Sequence, residues 1–505
     1  MDKRTPVLVG VGQTVSHWDG TSGPDGAPSY LSLAVEAAKN ALHDTGAEAA
    51  LAAEIDTIAM VRTMADSVPS FDQVFGRCQN LPRGVAKEIG ADPRDAIYAS
   101  VGGQSPQSLI NEMASAIYQG ERDAVLIGGS EALGAMKAAK RAGISLDWNA
   151  EIDGTLEDRG LGPMLLNRAE IKHGLVVPAY FYALFETAFA HDQGHSCSAH
   201  RRAMSALFAP FSETASNNPY AQFKMARTTD FLAMPSKENY AFADPYLKWH
   251  MAQDAVNMAA AVVMMSSEKA DALGIDPAKR VYLHGSGEAQ DDYISSRPDL
   301  TGSWAMRTAL GRALEQAEKD SADLSVLDLY SCFPIAVFSG TAALGIDWKT
   351  DKRGFTQTGG LPFFGGPGNN YSLHGIASTV ERLRGDPGAF GLVLANGGWM
   401  SKEAAGIYST APCAEFTNVE AAAQPTTQIE LDIEPVTGVL ETYTRVHGRS
   451  GPSHAIAFGR TDAGKRFIAV SRDAETLAHL GRDELAIGAP MSVTSEAEVN
   501  TFKLA

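Results

Sequence analysis

Two stretches far apart in the chain share one pattern, and that repetition constrains the fold most. The first, YASVGGQSPQSLINEMASAIYQGERDAVLIGGSEAL, runs from Tyr98 to Leu133. A Gly-Gly turn leads into a helix whose Leu109, Ile110, Met113, Ala114 and Ile117 share one face. Ser105 and Pro106 suit the N-cap and first helical positions. Gly120 stops the helix, and Ala124 to Ile127 read as a buried parallel strand ending in Gly128-Gly129-Ser130. The second stretch begins at Gly365-Gly366-Pro367-Gly368-Asn369-Asn370. A helix from about Tyr371 to Leu383 follows, then the strand Gly391 to Ala395 and Asn396-Gly397-Gly398. The opening strands also match, Val7-Leu-Val-Gly-Val-Gly early and Val281-Tyr-Leu-His-Gly-Ser-Gly late. Self-similarity over about half a chain means a duplicated domain, not a short-period solenoid.

The order of four blocks resembles the thiolase superfamily over about residues 5 to 412. They are the helix–strand unit above, DAVNMAAAVVMMSS (Asp254 to Ser267), DLYSCFP (Asp328 to Pro334) and GGLPFFGGPGNNYSLHG (Gly359 to Gly375). The resemblance implies an α/β fold: a duplicated thiolase-like βαβ core in five layers (αβαβα), with a loop domain. It places the N-terminal half at residues 1–270, including a loop domain at about 135–250 that covers the site and holds coenzyme A. The second half spans 271–414. It also implies coenzyme A as co-substrate, a small β-keto substrate and a homodimer formed through the first core sheet. Lys137 and Arg141 read as solvated helix charges, with phosphate contact the alternative.

The net charge of −18 over 505 residues argues against nucleic acid or an anionic membrane as the main partner. The start of the chain has no long apolar run of the signal-peptide kind, and the run around Ala255 to Met265 is too short to span a bilayer. The four cysteines, Cys78, Cys197, Cys332 and Cys413, are too few and too scattered for a disulfide scaffold. They read as reduced thiols of a cytoplasmic protein.

Along the chain, residues 5–12 and Ile55 to Val61 read as strands, Tyr30 to Leu42 as a helix, and 63–85 as irregular. Between 135 and 250 the helical pieces are Pro178 to Ala190, Ser198 to Ala209 and Tyr246 to Met258. The run HDQGHSCSAH offers His191, His195, Cys197 and His200 as zinc ligands. Gly194 breaks the helix that would align them, so Ser196 or Ser198 as N-cap is preferred and no metal is expected. Past Cys413 the character changes, with a boundary at Gln424-Pro425-Thr426. Ile429 to Ile433, Val439 to His447, His454 to Gly459, Arg466 to Ser471 and Met491 to Thr494 alternate like antiparallel strands. Residues 415–505 therefore read as a small OB-like β-barrel.

The resemblance also locates the chemistry. A thiolase attacks its thioester with a cysteine at a helix N-terminus, assisted by a histidine, a second cysteine and oxyanion holes. Here Gly102 or Gly103 stands at the nucleophile's place. Gly365-Gly366-Pro367 replaces the Gly-His-Pro block, and Ala395-Asn396-Gly397 replaces the late Cys-x-Gly. Tyr330-Ser331-Cys332-Phe333 departs from both forms of its block but keeps one cysteine. A covalent acyl-cysteine at the usual place is excluded.

Two readings follow. In one the site is rebuilt, with Cys332 as acid/base or nucleophile, His374 its partner, and Tyr330 an oxyanion donor. Gly102, Gly103, Gln104 and Ser105 would hold a carbonyl or carboxylate, with Asn369, Asn370, Asn396 and Gly397 nearby. Such a site would carry out thiolytic or retro-Claisen cleavage of a β-keto compound, a retro-aldol, or the reverse acetyl transfer. In the other the protein binds a coenzyme A ester without chemistry of its own, as a scaffold or subunit. Each residue also has a structural alternative: Cys332 as packing, His374 as a cap, Tyr330 as core and Ser105 as N-cap.

Overall fold

A computed structural model describes residues 2–163, 165–413, 416–417 and 428–504. Among them, ten strands form one continuous sheet. Each half contributes the same four-strand motif. In the first, Pro6–Val15 pairs antiparallel with Met258–Ser266, that with Ala124–Glu131, and that parallel with Thr57–Met60. In the second, Val281–Gln290 pairs antiparallel with Lys402–Ser409, that with Phe390–Gly397, and that parallel with Leu324–Leu329. The halves join where Val7 meets Tyr282 and Leu8 meets Val281.

The matched glycines of the opening strands have a packing cause. A Cβ on Gly10 or Gly12 would run into the carbonyls of Ala41 and Ala37 in helix Tyr30–Asp44. A Cβ on Gly285 or Gly287 would strike Ala313 and Ala309 in helix Trp304–Ala317. In each half the outer helix therefore lies backbone-close on its strand. The repeated helices Ser105–Gln119 and Tyr371–Arg384 form the central layer, and Leu109, Ile110, Met113, Leu373, Ile376 and Val380 pack there between the two halves of the sheet. Their flanks are covered by helices Tyr30–Asp44 and Leu81–Ile89 on one side and by Trp304–Ala317 and Pro334–Ala343 on the other. This is the five-layer αβαβα arrangement.

Several local expectations need correction. Residues 63–85 are not irregular throughout: Thr63 caps the short helix Met64–Ser67, and Asn80 caps Leu81–Ile89 with Pro82 in its first turn. Tyr246 to Met258 is not a helix. Tyr246–Leu247 is a strand, Lys248–His250 a single 3₁₀ turn, and Met258 already begins the next strand. Side chains explain this: Gln253 donates to the Lys248 and Met251 carbonyls, and the Tyr246 hydroxyl is tied to Glu186 at 2.7 Å. The helix that starts at Cys197, capped by Ser196, continues through Pro210 to Asn217.

The outer edge of the first-half sheet is not free. Ile97 pairs with Glu157 and Tyr98 with Asp158, so the chain's own loop segment covers that edge strand. Arg62 pairs with Asp158, and Arg159 donates to both carboxylate oxygens of Glu112 at 2.6 and 2.7 Å.

Beyond the core, five strands pair in a ring: Thr437–Gly448, Gly451–Arg460, Arg466–Ser471, Val499–Leu504, Pro490–Glu496, and back to the first. With helix Ala474–His479 between the third and fourth strands in sequence, this is an OB-like order. Ile429 to Ile433 is not a strand and contributes only a bridge from Leu431 to Arg466. The expected boundary at Gln424-Pro425-Thr426 lies outside the described residues. This C-terminal domain is docked on the core through Arg466, fully buried. Arg466 is paired with Glu441 and donates to the carbonyls of Ser295 and Arg297 at 3.0 and 2.7 Å.

Candidate active site

The first-half turn brings the start of helix Ser105–Gln119 against three elements of the second half. Gln104, not Ser105, occupies the N-cap position; Ser105 is the first helical residue, and its hydroxyl donates to Ser100 O at 2.9 Å. Its oxygen is thus used in closing the turn. Gly103 needs to be glycine because a Cβ there would meet the Tyr330 hydroxyl and the Asn396 carbonyl. The Gln104 side chain likewise fills the space that a Cβ on Gly102 or Gly397 would need. The space at the expected nucleophile position is therefore occupied by Tyr330 and Gln104.

Behind this plug lies a polar cluster. Strand Phe390–Gly397 delivers Asn396, whose amide donates to the Tyr182 hydroxyl at 3.1 Å and reaches Cys332 Sγ at 3.9 Å. Tyr182, on helix Pro178–Asp192, stacks on Phe333 with centroids 4.3 Å apart and also accepts from Met400 N at 3.3 Å. Cys332 sits between the end of strand Leu324–Leu329 and helix Pro334–Ala343. Its carbonyl accepts from Ala252 N at 2.9 Å.

Electrostatically the cluster is neutral. Burial pushes the Cys332 thiol up to about 12 and raises the Tyr182 and Tyr330 hydroxyls well above the usual tyrosine range. Burial also holds the Glu403 carboxyl well above the ordinary carboxylate value. Gln104 Oε1, Asn396 Oδ1, Ser331 Oγ and both Glu403 oxygens are buried without a hydrogen-bond partner. Each such group costs about 1–3 kcal/mol. Their concentration at one place is unusual for a core that serves packing alone.

The structure does not bring His374 to Cys332. His374 Nδ1 bonds with Gln13 Oε1 at 2.9 Å, its Nε2 has no partner, and burial lowers its pKa to about 3, so it is neutral. Asn369 donates to Arg62 O at 2.8 Å and Ser67 Oγ at 2.9 Å, and Asn370 donates to Gly129 O at 2.7 Å. These two side chains fasten the halves together. Lys137 is paired with Asp254 at 2.6 Å. His200 belongs to a buried network with Glu186, which also accepts from Tyr246 and from Ile335 N. Among the described residues no group of three His, Cys, Asp or Glu is arranged to hold a metal. Nor is any helix there long and apolar enough to cross a membrane.

Sequence reasoning missed Tyr182 and Glu403. Glu403 had a signal: a charged residue next to Lys402 at the head of an otherwise apolar strand, KEAAGIYS. Tyr182 lay hidden in the aromatic helix PAYFYALFETAFAHD, where any ring reads as packing.

Comparison with known proteins bears on this geometry. The crystal structure of a monomeric SCP2-thiolase-like protein type 1 from Mycobacterium smegmatis matches at 38% identity. The match covers all of both chains, with a TM-score of 0.85. The chain belongs to the SCP2-thiolase-like proteins of type 1. In agreement, residues 418–498 match the family model of the thiolase-like protein type 1 additional C-terminal domain. The acetyl-CoA acetyltransferase of Syntrophomonas wolfei matches at 17% identity over 80% of this chain and 99% of its own, TM-score 0.57. The Ltp2-ChsH2(DUF35) aldolase matches at 18% over 80% and 98%, TM-score 0.56. These two likenesses carry the fold alone. No curated protein matches the chain. The thiolase-like core and the added C-terminal domain are thus properties of this family.

Proposed function

We propose that the protein cleaves a β-keto substrate with coenzyme A, by a retro-Claisen route that forms no acyl-cysteine, or runs the reverse acetyl transfer. The observation that carries this reading is the gathering of three uncharged thiol and hydroxyl groups, Cys332, Tyr182 and Tyr330, at the thiolase-type site. An enolate or tetrahedral oxygen forming there would meet neutral donors, the Cys332 thiol and the hydroxyls of Tyr182 and Tyr330, in a water-poor setting. Such fixed donors stabilise developing negative charge strongly. Cys332, held as a thiol, is a hydrogen-bond donor and not the attacking nucleophile. The thiol of coenzyme A attacks the keto carbon directly. His374, through Gln13, positions the second central helix.

The loop-domain face has residues suited to the coenzyme. Arg227 lies over the Trp249 ring at 3.8 Å, and Lys248 over the same ring at 4.7 Å. A cation–aromatic stack of this kind suits an adenine nucleotide phosphate. The segment that carries Trp249 continues to Ala252, which bonds Cys332 O.

The protein is proposed to act as a monomer, because segment Glu157–Asp158 occupies the sheet edge through which the expected homodimer would form. The plug of Tyr330 and Gln104 is the one feature that favours the second reading, a coenzyme A ester-binding scaffold without turnover. Acetyl-CoA release from a panel of β-keto acids and 3-ketoacyl-CoAs, with coenzyme A present, separates the two. Release supports the enzyme. Esters that raise the melting temperature with no release from any substrate support the scaffold.

A further inference from the structure

Glu403 is 1% exposed, and neither carboxyl oxygen has a partner. It stands directly opposite Asn396 across the antiparallel pair of strands Phe390–Gly397 and Lys402–Ser409. Facing residues of such a pair leave the sheet on the same side, so Glu403 points where Asn396 points, toward Tyr182 and Cys332. Its charge acts on Tyr182, Tyr330 and Cys332 alike, which places the carboxyl within range of all three.

The one cation acting on it is already engaged. Arg297 donates to Met400 O at 3.0 Å and Ser401 Oγ at 2.7 Å, and it lies 3.8 Å from Asp291. Asp291 in turn accepts from Ser303 Oγ and Ala305 N, and its negative charge further disfavours ionisation of Glu403. A buried carboxylate without partner or hydrogen bond is costly, so the group is held as the neutral acid.

Resting on the cleavage reaction proposed above, we propose that Glu403 is its proton donor. The thiol sulfur of coenzyme A bonds to the keto carbon, and the bond between that carbon and the α-carbon breaks. The bonding pair passes to the α-carbon as an enolate, and the Glu403 carboxyl protonates it there. The thiol proton passes to the oxygen of the tetrahedral adduct as sulfur attacks and from that oxygen to the carboxylate once the enolate has taken the carboxyl proton, so the cycle needs no other acid or oxidant. A carboxyl is by nature a stronger acid than a thiol or a phenol, and burial raises all of these groups here. Cys332 then serves the oxygen and Glu403 the carbon.

The test is infrared difference spectroscopy of wild type minus Glu403→Gln at neutral pH, with and without acetoacetyl-CoA, alongside acetyl-CoA release and melting temperature. The expected result is a protonated-carboxyl band in the wild type that shifts when acetoacetyl-CoA binds. Release should fall at least about a hundredfold in Glu403→Gln, the size of a lost general acid, with the fold intact. If wild type releases acetyl-CoA but acetoacetyl-CoA leaves the band unmoved, or if Glu403→Gln keeps its rate, Glu403 is not the donor and the cleavage reading survives; a raised melting temperature without release overturns both in favour of the scaffold. If acetoacetyl-CoA neither shifts the band nor changes the melting temperature, the substrate class itself is wrong, and both readings fall together.

Discussion

The two glycine-rich turns that open the central helices share one sequence pattern and serve different ends. At Gly102 to Ser105 the turn faces Tyr330, Gln104 and Asn396, among polar atoms without partners. At Gly365 to Asn370 the turn is packed and bonded across the halves, although Asn370 Oδ1 and Glu131 Oε2 beside it also lack a partner. Gly365 abuts Val256 and Met258, Gly368 abuts Met64 and Glu131, and Asn369 and Asn370 donate to backbone carbonyls of the first half. A symmetric fold carries an asymmetric pair of turns: one borders the proposed site, the other bonds the halves together. A duplicated scaffold can thus carry different polar residues in its two copies without losing the fold, because the glycines answer to packing in both.

The contrast predicts where substitutions hurt. The largest loss of stability belongs to the fastener. Replacing Asn369 and Asn370 together by alanine removes three hydrogen bonds to the first half. It should cost about 3 kcal/mol or more, read as a lowered denaturant midpoint with an unchanged slope. A loss no larger than a typical surface change would mean that the second turn fastens nothing.

At the first turn, Gly103→Cys restores the superfamily's nucleophile but sets a side chain against Tyr330 and Asn396. Overpacking of this kind costs about 1–3 kcal/mol. Tyr330→Phe in the same chain should recover part of it. Additive losses would show that Tyr330 does not fill the nucleophile's place.

The smallest effect is a slope in pH. Glu131, beside Gly368, accepts Met64 N on one oxygen, has no partner on the other, and is raised by burial to about 8. Its folded value lies above its unfolded one, so the stability linked to its proton is complete below about pH 4.5 and is lost as pH rises toward 8. Glu131→Gln should flatten the fall in melting temperature across that range. An unchanged profile would place the titration elsewhere.

Much of the fold was legible because its causes are local. Apolar periodicity marked both central helices, and the matching opening strands marked the duplication. Register and side-chain capture were not legible. Nothing in the sequence says that Gln253 folds back on the carbonyls of Lys248 and Met251, which turned an expected helix into a 3₁₀ turn. Ser105 looked like a cap, yet the turn tightened by one residue and left Gln104 there. Of the candidate site, Tyr330, Cys332 and Asn396 come together because all three lie at strand ends. His374 lies one helical turn farther on and meets Gln13 instead. Glu403 and Tyr182 join through strand register and helix packing, which single-residue reasoning does not see.

In the proposed reaction the site works through Cys332 as a neutral donor in a water-poor cluster, without an acyl-enzyme. Its most direct test is the rate of coenzyme A-dependent acetyl-CoA release, on the best substrate of the panel, by wild type and by Cys332→Ala. Wild type should release acetyl-CoA, and the variant should be slower by about a hundredfold or more, the cost of an oxyanion donor. Equal rates in the two proteins would contradict this role of Cys332.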